Sequence, residues 1–179
     1  MRNSAKTSLG GIITALSLIT MLMSAVIPNL EYALPAISGT MLVLMVIEIS
    51  KKWALCAYVA VSILSILILP NKEAAMMYIA FFGHYPIVKP LIEGKIKNSP
   101  IAWILKALVF NISVVLAYMV TVYIFGIPIE DIKEHGMKIV PVLLALGNVM
   151  FVLYDICITR LVTLYLVKYQ KRFRKLFKS

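Results

Sequence analysis

The chain has 179 residues, of which 61% are apolar, and its mean hydropathy is +0.93. Water-soluble domains are roughly half apolar, so this composition excludes an ordinary soluble enzyme or binding domain. A net charge of +10 would suit a nucleic-acid-binding protein. In a chain this apolar it indicates attraction to the headgroups of membrane lipid instead, and we expect no nucleic-acid partner.

Apolar runs long enough to cross a bilayer, about 20 residues each, recur along the chain with short polar links between them. We predict an all-α integral membrane protein with one domain of six transmembrane helices. The first run is too long for a signal-peptide core and has no clear cleavage site, so we expect it to remain as a span. The predicted spans cover residues 8–27, 33–49, 53–69, 74–90, 101–125 and 137–159, followed by a basic amphipathic tail over residues 160–179.

The basic residues are distributed unevenly over the predicted links. Six spans place both termini on one side of the membrane, and that side also receives Lys51, Lys52, Lys95 and the basic tail. Because lysine and arginine are enriched in cytoplasmic links, this pattern predicts that both termini are cytosolic. The opposite side receives few lysines and the acids Glu31, Glu73, Glu130, Asp131 and Glu134.

Small residues recur at the start of the first span. Thr7, Gly11 and Ala15 are four residues apart and therefore share one face of a helix. Small side chains let another helix approach closely, so this face can dock a partner. Ordinary packing inside the protein is the alternative explanation.

The fourth span contains an unusual stretch, residues 81–97. Gly83, His84, Pro86 and Pro90 interrupt its apolar sequence within a few positions. Proline removes a backbone donor, so we expect a kink or an end of the helix here. Non-helical backbone at membrane depth often lines a cavity or a transport site. The alternative is that Pro86 only kinks the helix, that Pro90 ends it, and that a backbone carbonyl satisfies His84.

Ionisable residues inside spans are costly and usually face a protein interior or a cavity. Glu48, Lys89 and Lys106 lie near the predicted cytosolic ends of their spans, and we interpret them as interfacial anchors that reach toward water. Asp155 lies deeper, and we expect it to pair with Arg160 or with Lys106 for structural reasons.

Polar residues at the predicted outer ends of the spans offer a second kind of site. An outward-facing pocket is expected to be lined by Asn29, Glu31, Tyr32, Asn71, Tyr78 and Tyr123. If a ligand cavity adjoins the break at Pro86, then His84 and Tyr85 contribute polar atoms there, and Tyr123 and Asn148 approach from the neighbouring spans. A hydrogen bond between spans is the alternative explanation for Asn148 and for Asn111.

Enzyme signatures are lacking. The sequence has no HExxH, GxSxG or phosphate-loop motif, and its two cysteines have no metal-ligand spacing. We therefore predict no enzymatic activity, no cofactor and no metal site. Because a Walker motif is also lacking, any energy for transport must come from another protein.

The small, basic, six-span layout with cytosolic termini resembles the substrate-binding S components of energy-coupling factor (ECF) importers. In that family a small-residue face of the first helix, typically alanines, docks a transmembrane coupling subunit that works with ATPases. Thr7, Gly11 and Ala15 resemble that face, although two of the three are not alanine. The family's substrate sits in the outer half beneath the first link, here residues 29–32. The resemblance implies a capture subunit for a vitamin-like or other small-molecule ligand in a bacterial-type plasma membrane.

The chain also resembles, more loosely, the MreD-type membrane subunits of bacterial cell-wall elongation complexes. Those proteins have a similar number of spans. This second resemblance implies a scaffold in a membrane assembly, with no transported ligand.

Overall fold

The computed structural model describes residues 3–27, 30–96, 98–123, 126 and 140–170, and these are helices and short turns without a strand. The helices are α1 (Asn3–Met23), α2 (Ala33–Glu48), α3 (Lys51–Ile68), α4 (Lys72–Met77), α5 (Tyr85–Lys95), α6 (Ser99–Tyr123) and α7 (Val140–Leu164). By length and composition, α1, α3, α6 and α7 are long and apolar enough to cross a membrane, with α7 continuing as a π-helical segment, Tyr165–Tyr169.

A broken helix takes the position of the fourth predicted span. It consists of α4, a π-helical turn (Tyr78–Phe82) and α5, with Gly83 and His84 between the last two. The backbone N–H of Gly83 donates to the Tyr78 carbonyl over 2.7 Å, a bond that reaches five residues back instead of four. Pro86 follows the break as the second residue of α5, where a helix does not need its missing N–H.

The predicted end of this helix at Pro90 is wrong. Pro90 lies inside α5, which continues to Lys95. Pro90 removes one helical donor, but the backbone bonds beyond it form normally, as the 2.9 Å bond from Ile96 N–H to the Ile92 carbonyl shows. A single proline therefore costs α5 one hydrogen bond without ending it.

The bundle has two distinguishable ends. The link end holds residues 30–32, 70–73 and 121–123, because Tyr32, Glu73 and Thr121 line the same recess there. The basic end holds residues 48–53, 93–96 and 159–170, which include the exposed lysines 51, 52, 95 and 168. With α4 and α5 counted as one broken helix, successive helices therefore run in alternate directions between the two ends.

Two clusters of buried side chains hold the helices together. The first lies among α1, α2, α3 and the start of the broken helix, with Leu42, Met45 and Val61 fully buried. The second lies among the broken helix, α6 and α7 and consists mainly of aromatic rings: Phe81, Tyr85, Phe110, Phe151 and Tyr154. The rings of Phe110 and Phe151 are stacked with their centroids 5.0 Å apart.

Apolar side chains also cover the outer surface of the described helices. Ile12 on α1, Ile63 on α3, Ile104 on α6 and Leu153 on α7 are all more than half exposed. Apolar surface of this extent is unusual on a soluble monomer and is suited to contact with lipid chains. Together with the long apolar helices, it indicates a membrane protein.

Candidate functional site

Four ionised side chains meet inside the bundle near its basic end. We call the group the charge cluster, and it comprises Tyr85, Lys89 and Glu93 of α5, Lys106 of α6, and Asp155 and Thr159 of α7. Residues four apart share a helix face, so α5 and α7 each present their members as one row. Two lysines and two acids make the cluster neutral, which favours its burial because uncompensated buried charge is costly.

Asp155 is the centre of the cluster. Its Oδ1 accepts hydrogen bonds from the Tyr85 hydroxyl and from Lys89 Nζ, and its Oδ2 accepts one from Lys106 Nζ over 3.0 Å. Lys89 Nζ also donates to the Asp155 carbonyl over 3.1 Å and to Thr159 Oγ1 over 2.8 Å. These bonds tie α5, α6 and α7 together at one point.

Glu93 closes the cluster on its outer side. Its Oε1 lies 3.3 Å from Lys89 Nζ and 3.1 Å from Lys106 Nζ. The Glu93 side chain is 43% exposed, whereas those of Lys89, Lys106 and Asp155 are 5%, 4% and 3% exposed. Lys106 Nζ also lies 4.1 Å from the centroid of the Trp103 ring, a favourable cation–π distance.

The interpretation of Lys89 and Lys106 as interfacial anchors is wrong. Both ammonium groups point into the bundle and are paired there, because Asp155 and Glu93 offer them bonds that replace water. The expected pairing of Asp155 with Lys106 is confirmed, and Arg160 is exposed on α7. Glu48 is buried at the end of α2, which does not fit an anchor in water either.

The break in the helix is satisfied by the protein itself. Phe82 precedes Pro86 by four residues, so its carbonyl lacks a helical donor, and the Tyr154 hydroxyl lies 3.4 Å from it. The Ile79 carbonyl accepts a bond from the Tyr58 hydroxyl over 2.7 Å and lies 3.4 Å from His84 Nδ1. Neighbouring side chains therefore replace the bonds that the π-turn and Pro86 remove.

His84 is half-buried among aromatic rings. The rings of Tyr58 and Phe81 meet it edge-on, with centroids 6.1 Å and 6.4 Å away. With its contact to the Ile79 carbonyl, this environment agrees with the alternative of a core histidine satisfied by the backbone. Tyr58 belongs to α3, so His84 lies on the α3 side of the broken helix.

Asn148 joins α7 to α6, whereas His84 contacts α3. The amides of Asn148 and Asn111 exchange two hydrogen bonds of 3.0 Å, and each also donates to the carbonyl four residues before it over 2.8 Å. The expected bond between spans is confirmed. The described contacts thus place His84 and Asn148 in different environments, and Tyr123 is 81% exposed at the link end.

A small recess opens at the link end with a volume of ≈ 50 Å³. Of the residues predicted for an outward-facing pocket, Tyr32 lines it, Tyr78 is fully buried, and Glu31 is half-buried in the link. Asn29 lies outside the described residues. The described residues that line the recess are Tyr32, Glu73, Met76, Met77, Val114, Ala117, Tyr118 and Thr121.

Sequence reasoning missed Glu73, Tyr118 and Thr121 as lining residues. Asn71 accepts hydrogen bonds from the backbone N–H groups of Glu73 and Ala74, and such a cap fixes Glu73 in the first turn of α4. Residues 114, 117, 118 and 121 follow the spacing of a single helix face. Both signals are readable in the sequence.

The small-residue face of α1 points outward. Thr7, Gly11 and Ala15 are exposed, and a Cβ added at Gly11 would meet no atom within 4 Å. Packing of α1 on its neighbours uses other small residues, since Ser17 and Ser38 exchange bonds with each other's carbonyls over 3.3 Å and 3.0 Å. Internal packing in the described chain therefore does not account for the face.

Among the described residues, no group of three or more His, Cys, Asp or Glu is placed to hold a metal ion. No protein-family model, curated protein or solved structure matches the chain.

Proposed function

We propose that the chain is a membrane-embedded capture subunit that takes a small molecule into the recess at its link end, as the S components of ECF importers do. The observation that supports this function best is the position of the recess. It lies between the link that follows α1, the first half of the broken helix and the second half of α6. The resemblance puts the substrate at the corresponding place.

The lining of the recess combines groups that hold a small polar molecule. Glu73 supplies a carboxylate, Tyr32 and Tyr118 supply phenol rings, and Thr121 supplies a hydroxyl, while methionine and alanine supply apolar surface. Ligand sites typically combine apolar walls with a few polar groups. The volume of ≈ 50 Å³ is well below the ~150 Å³ of an engineered cavity that binds benzene. Capture of a vitamin-sized molecule therefore requires the link or α4 to move outward.

In this proposal α2 and the broken helix cross the membrane beside the four long helices, which gives six crossings and cytosolic termini in a bacterial-type plasma membrane. The distribution of lysine and arginine supports this orientation. α2 has 16 residues and a length of about 24 Å, so its flanking residues must complete a hydrocarbon core of about 30 Å. Membrane-impermeant thiol labelling is expected at a cysteine replacing Leu30 and not at one replacing Lys52, in a background without Cys56 and Cys157.

The partner in this proposal is a transmembrane coupling subunit with ATPases, docked on the outward face of α1. The open space around Gly11 supports this assignment. Gly11→Leu is expected to abolish co-purification of an ATPase-bearing subunit because the new side chain holds the helices apart. Cys56→Leu, which adds a side chain to the exposed surface of α3, serves as the matched control.

Native mass spectrometry of the gently purified protein tests capture. A co-purifying small molecule is expected with the unmodified chain and with Val115→Leu, whose side chain is exposed on α6. Ala117→Leu should lose it, because the larger side chain fills the recess that Ala117 lines. A molecule retained equally by all three proteins would exclude the recess as its site.

A scaffold subunit of the MreD type is the second candidate, and the filled middle of the described bundle favours it. Phe81 contacts six aromatic rings there, and the hydroxyl of Tyr154 lies 3.4 Å from the carbonyl freed at the break. A scaffold needs rigid packing and no ligand. Co-purification of cell-wall elongation proteins without any small molecule would favour this function over capture.

A further inference from the structure

Two buried ammonium groups converge on one oxygen atom of a side chain that is 43% exposed. Lys89 Nζ and Lys106 Nζ both lie within 3.3 Å of Glu93 Oε1, and we call the place that this oxygen occupies the anion position. The lysine side chains are almost fully buried, whereas that of Glu93 is half-exposed in the last turn of α5. The anion position is therefore a preformed site at the outer side of the charge cluster, held by two buried ammonium groups.

The charges of the cluster require an anion there. Lys89, Lys106 and Asp155 alone carry a net charge of +1, because Asp155 supplies a single negative charge to the two lysines that it bonds. A buried ammonium without a counter-charge is strongly unfavourable. Glu93 supplies the missing negative charge, and any other anion at the same place would balance the cluster equally well.

The surroundings of the anion position indicate which anion reaches it. The Trp103 ring, which contacts Lys106, is 36% exposed, and tryptophan on a membrane protein typically marks the depth of the lipid headgroups. Lys95 and Arg160 are exposed at the same end of the bundle and attract anions to it. A phosphate group has several oxygens and can accept a bond from each of the two ammonium groups at once.

We propose that the anion position is a phosphate-binding site that Glu93 occupies as a built-in competitor. A bound phosphate group displaces the Glu93 carboxylate toward the exposed side and accepts hydrogen bonds from Lys89 and Lys106. The phosphate comes from a phospholipid headgroup or from free inorganic phosphate, which share this chemistry. The site lies at the opposite end from the recess and does not depend on a transport function.

The test compares four proteins in a maltoside detergent, which carries no phosphate: the unmodified chain, Glu93→Gln, the double variant Glu93→Gln/Lys106→Met, and Lys95→Met. The double variant leaves Lys89 and Asp155 as a balanced pair, so it is suited to fold without an anion. Lys95→Met removes one exposed charge from α5 and leaves the cluster intact. One arm adds phosphatidylglycerol and the other adds inorganic phosphate, with retention read by native mass spectrometry and thermal stability measured alongside.

Glu93→Gln is expected to bind the phosphate source about tenfold more tightly than the unmodified chain, since it removes the competing charged group. The double variant should lose this binding, and Lys95→Met should keep it. Binding in only one of the two arms supports the site and identifies the source of the phosphate. Binding in both arms also supports the site. Equal affinity of Glu93→Gln and the double variant would overturn the proposal, as would absence of binding in both arms or an equal loss in Lys95→Met.

Discussion

Replacing Asp155 with asparagine tests whether the charge cluster stabilises the protein. The substitution keeps the shape of the side chain but leaves two buried lysines facing the single charge of Glu93. Asp155 accepts bonds from three donors, and the new NH₂ group can accept from none of them. Removing one partner of a buried ion pair typically costs about 3–5 kcal/mol, so we expect a loss in this range.

A second substitution separates charge from shape. Asp155→Asn/Lys106→Met leaves Lys89 and Glu93, which are 3.3 Å apart and balance each other. Because the excess charge is gone, this double variant should recover more than half of the free energy that Asp155→Asn loses. Glu31→Gln, a change in the half-buried link, should cost less than about 0.5 kcal/mol and serves as the control.

The assay is unfolding in detergent micelles by titration with sodium dodecyl sulfate. Tryptophan fluorescence reports on it, since the Trp103 ring contacts Lys106. A loss below about 1 kcal/mol for Asp155→Asn would show that these charges act as hydrated groups, contrary to their burial. The reasoning would also fail if the double variant were less stable than Asp155→Asn, because relief of excess charge would then have no effect.

The helical class and the long apolar helices could be predicted from the sequence, because an apolar run of about 20 residues is typical of a helix that crosses a membrane. The direction in which a side chain points around its helix could not be predicted in this way. Distance from the end of an apolar run does not tell whether a side chain points to water or into the bundle, which is why the interpretation of Lys89 and Lys106 as anchors fails. The cluster also joins positions 49 to 70 residues apart, which no local pattern connects.

A usable signal for the cluster was nevertheless present. Tyr85, Lys89 and Glu93 are spaced four apart, as are Asp155 and Thr159, so each set forms a row on one helix face. Two polar rows of complementary charge at similar depth are costly in lipid unless they meet. The break near Pro86 was predictable for a comparable reason, since proline always leaves one carbonyl without its donor. Which hydroxyl would serve that carbonyl depends on how α7 packs.

Two further substitutions test the packing of the bundle outside the charge cluster by the same unfolding assay. Gly83→Ala should cost about 1–3 kcal/mol, because its Cβ would lie 2.6 Å from the ring of Tyr58, whereas Gly94→Ala meets no atom within 4 Å and should be neutral. Equal stability of the two would contradict this packing. Asn111→Leu should cost about 1 kcal/mol by leaving Asn148 without its partner across the helices. Asn111→Leu/Asn148→Leu should be the more stable of the two variants, since no amide then remains unpaired, and additive losses would refute the reciprocal bond.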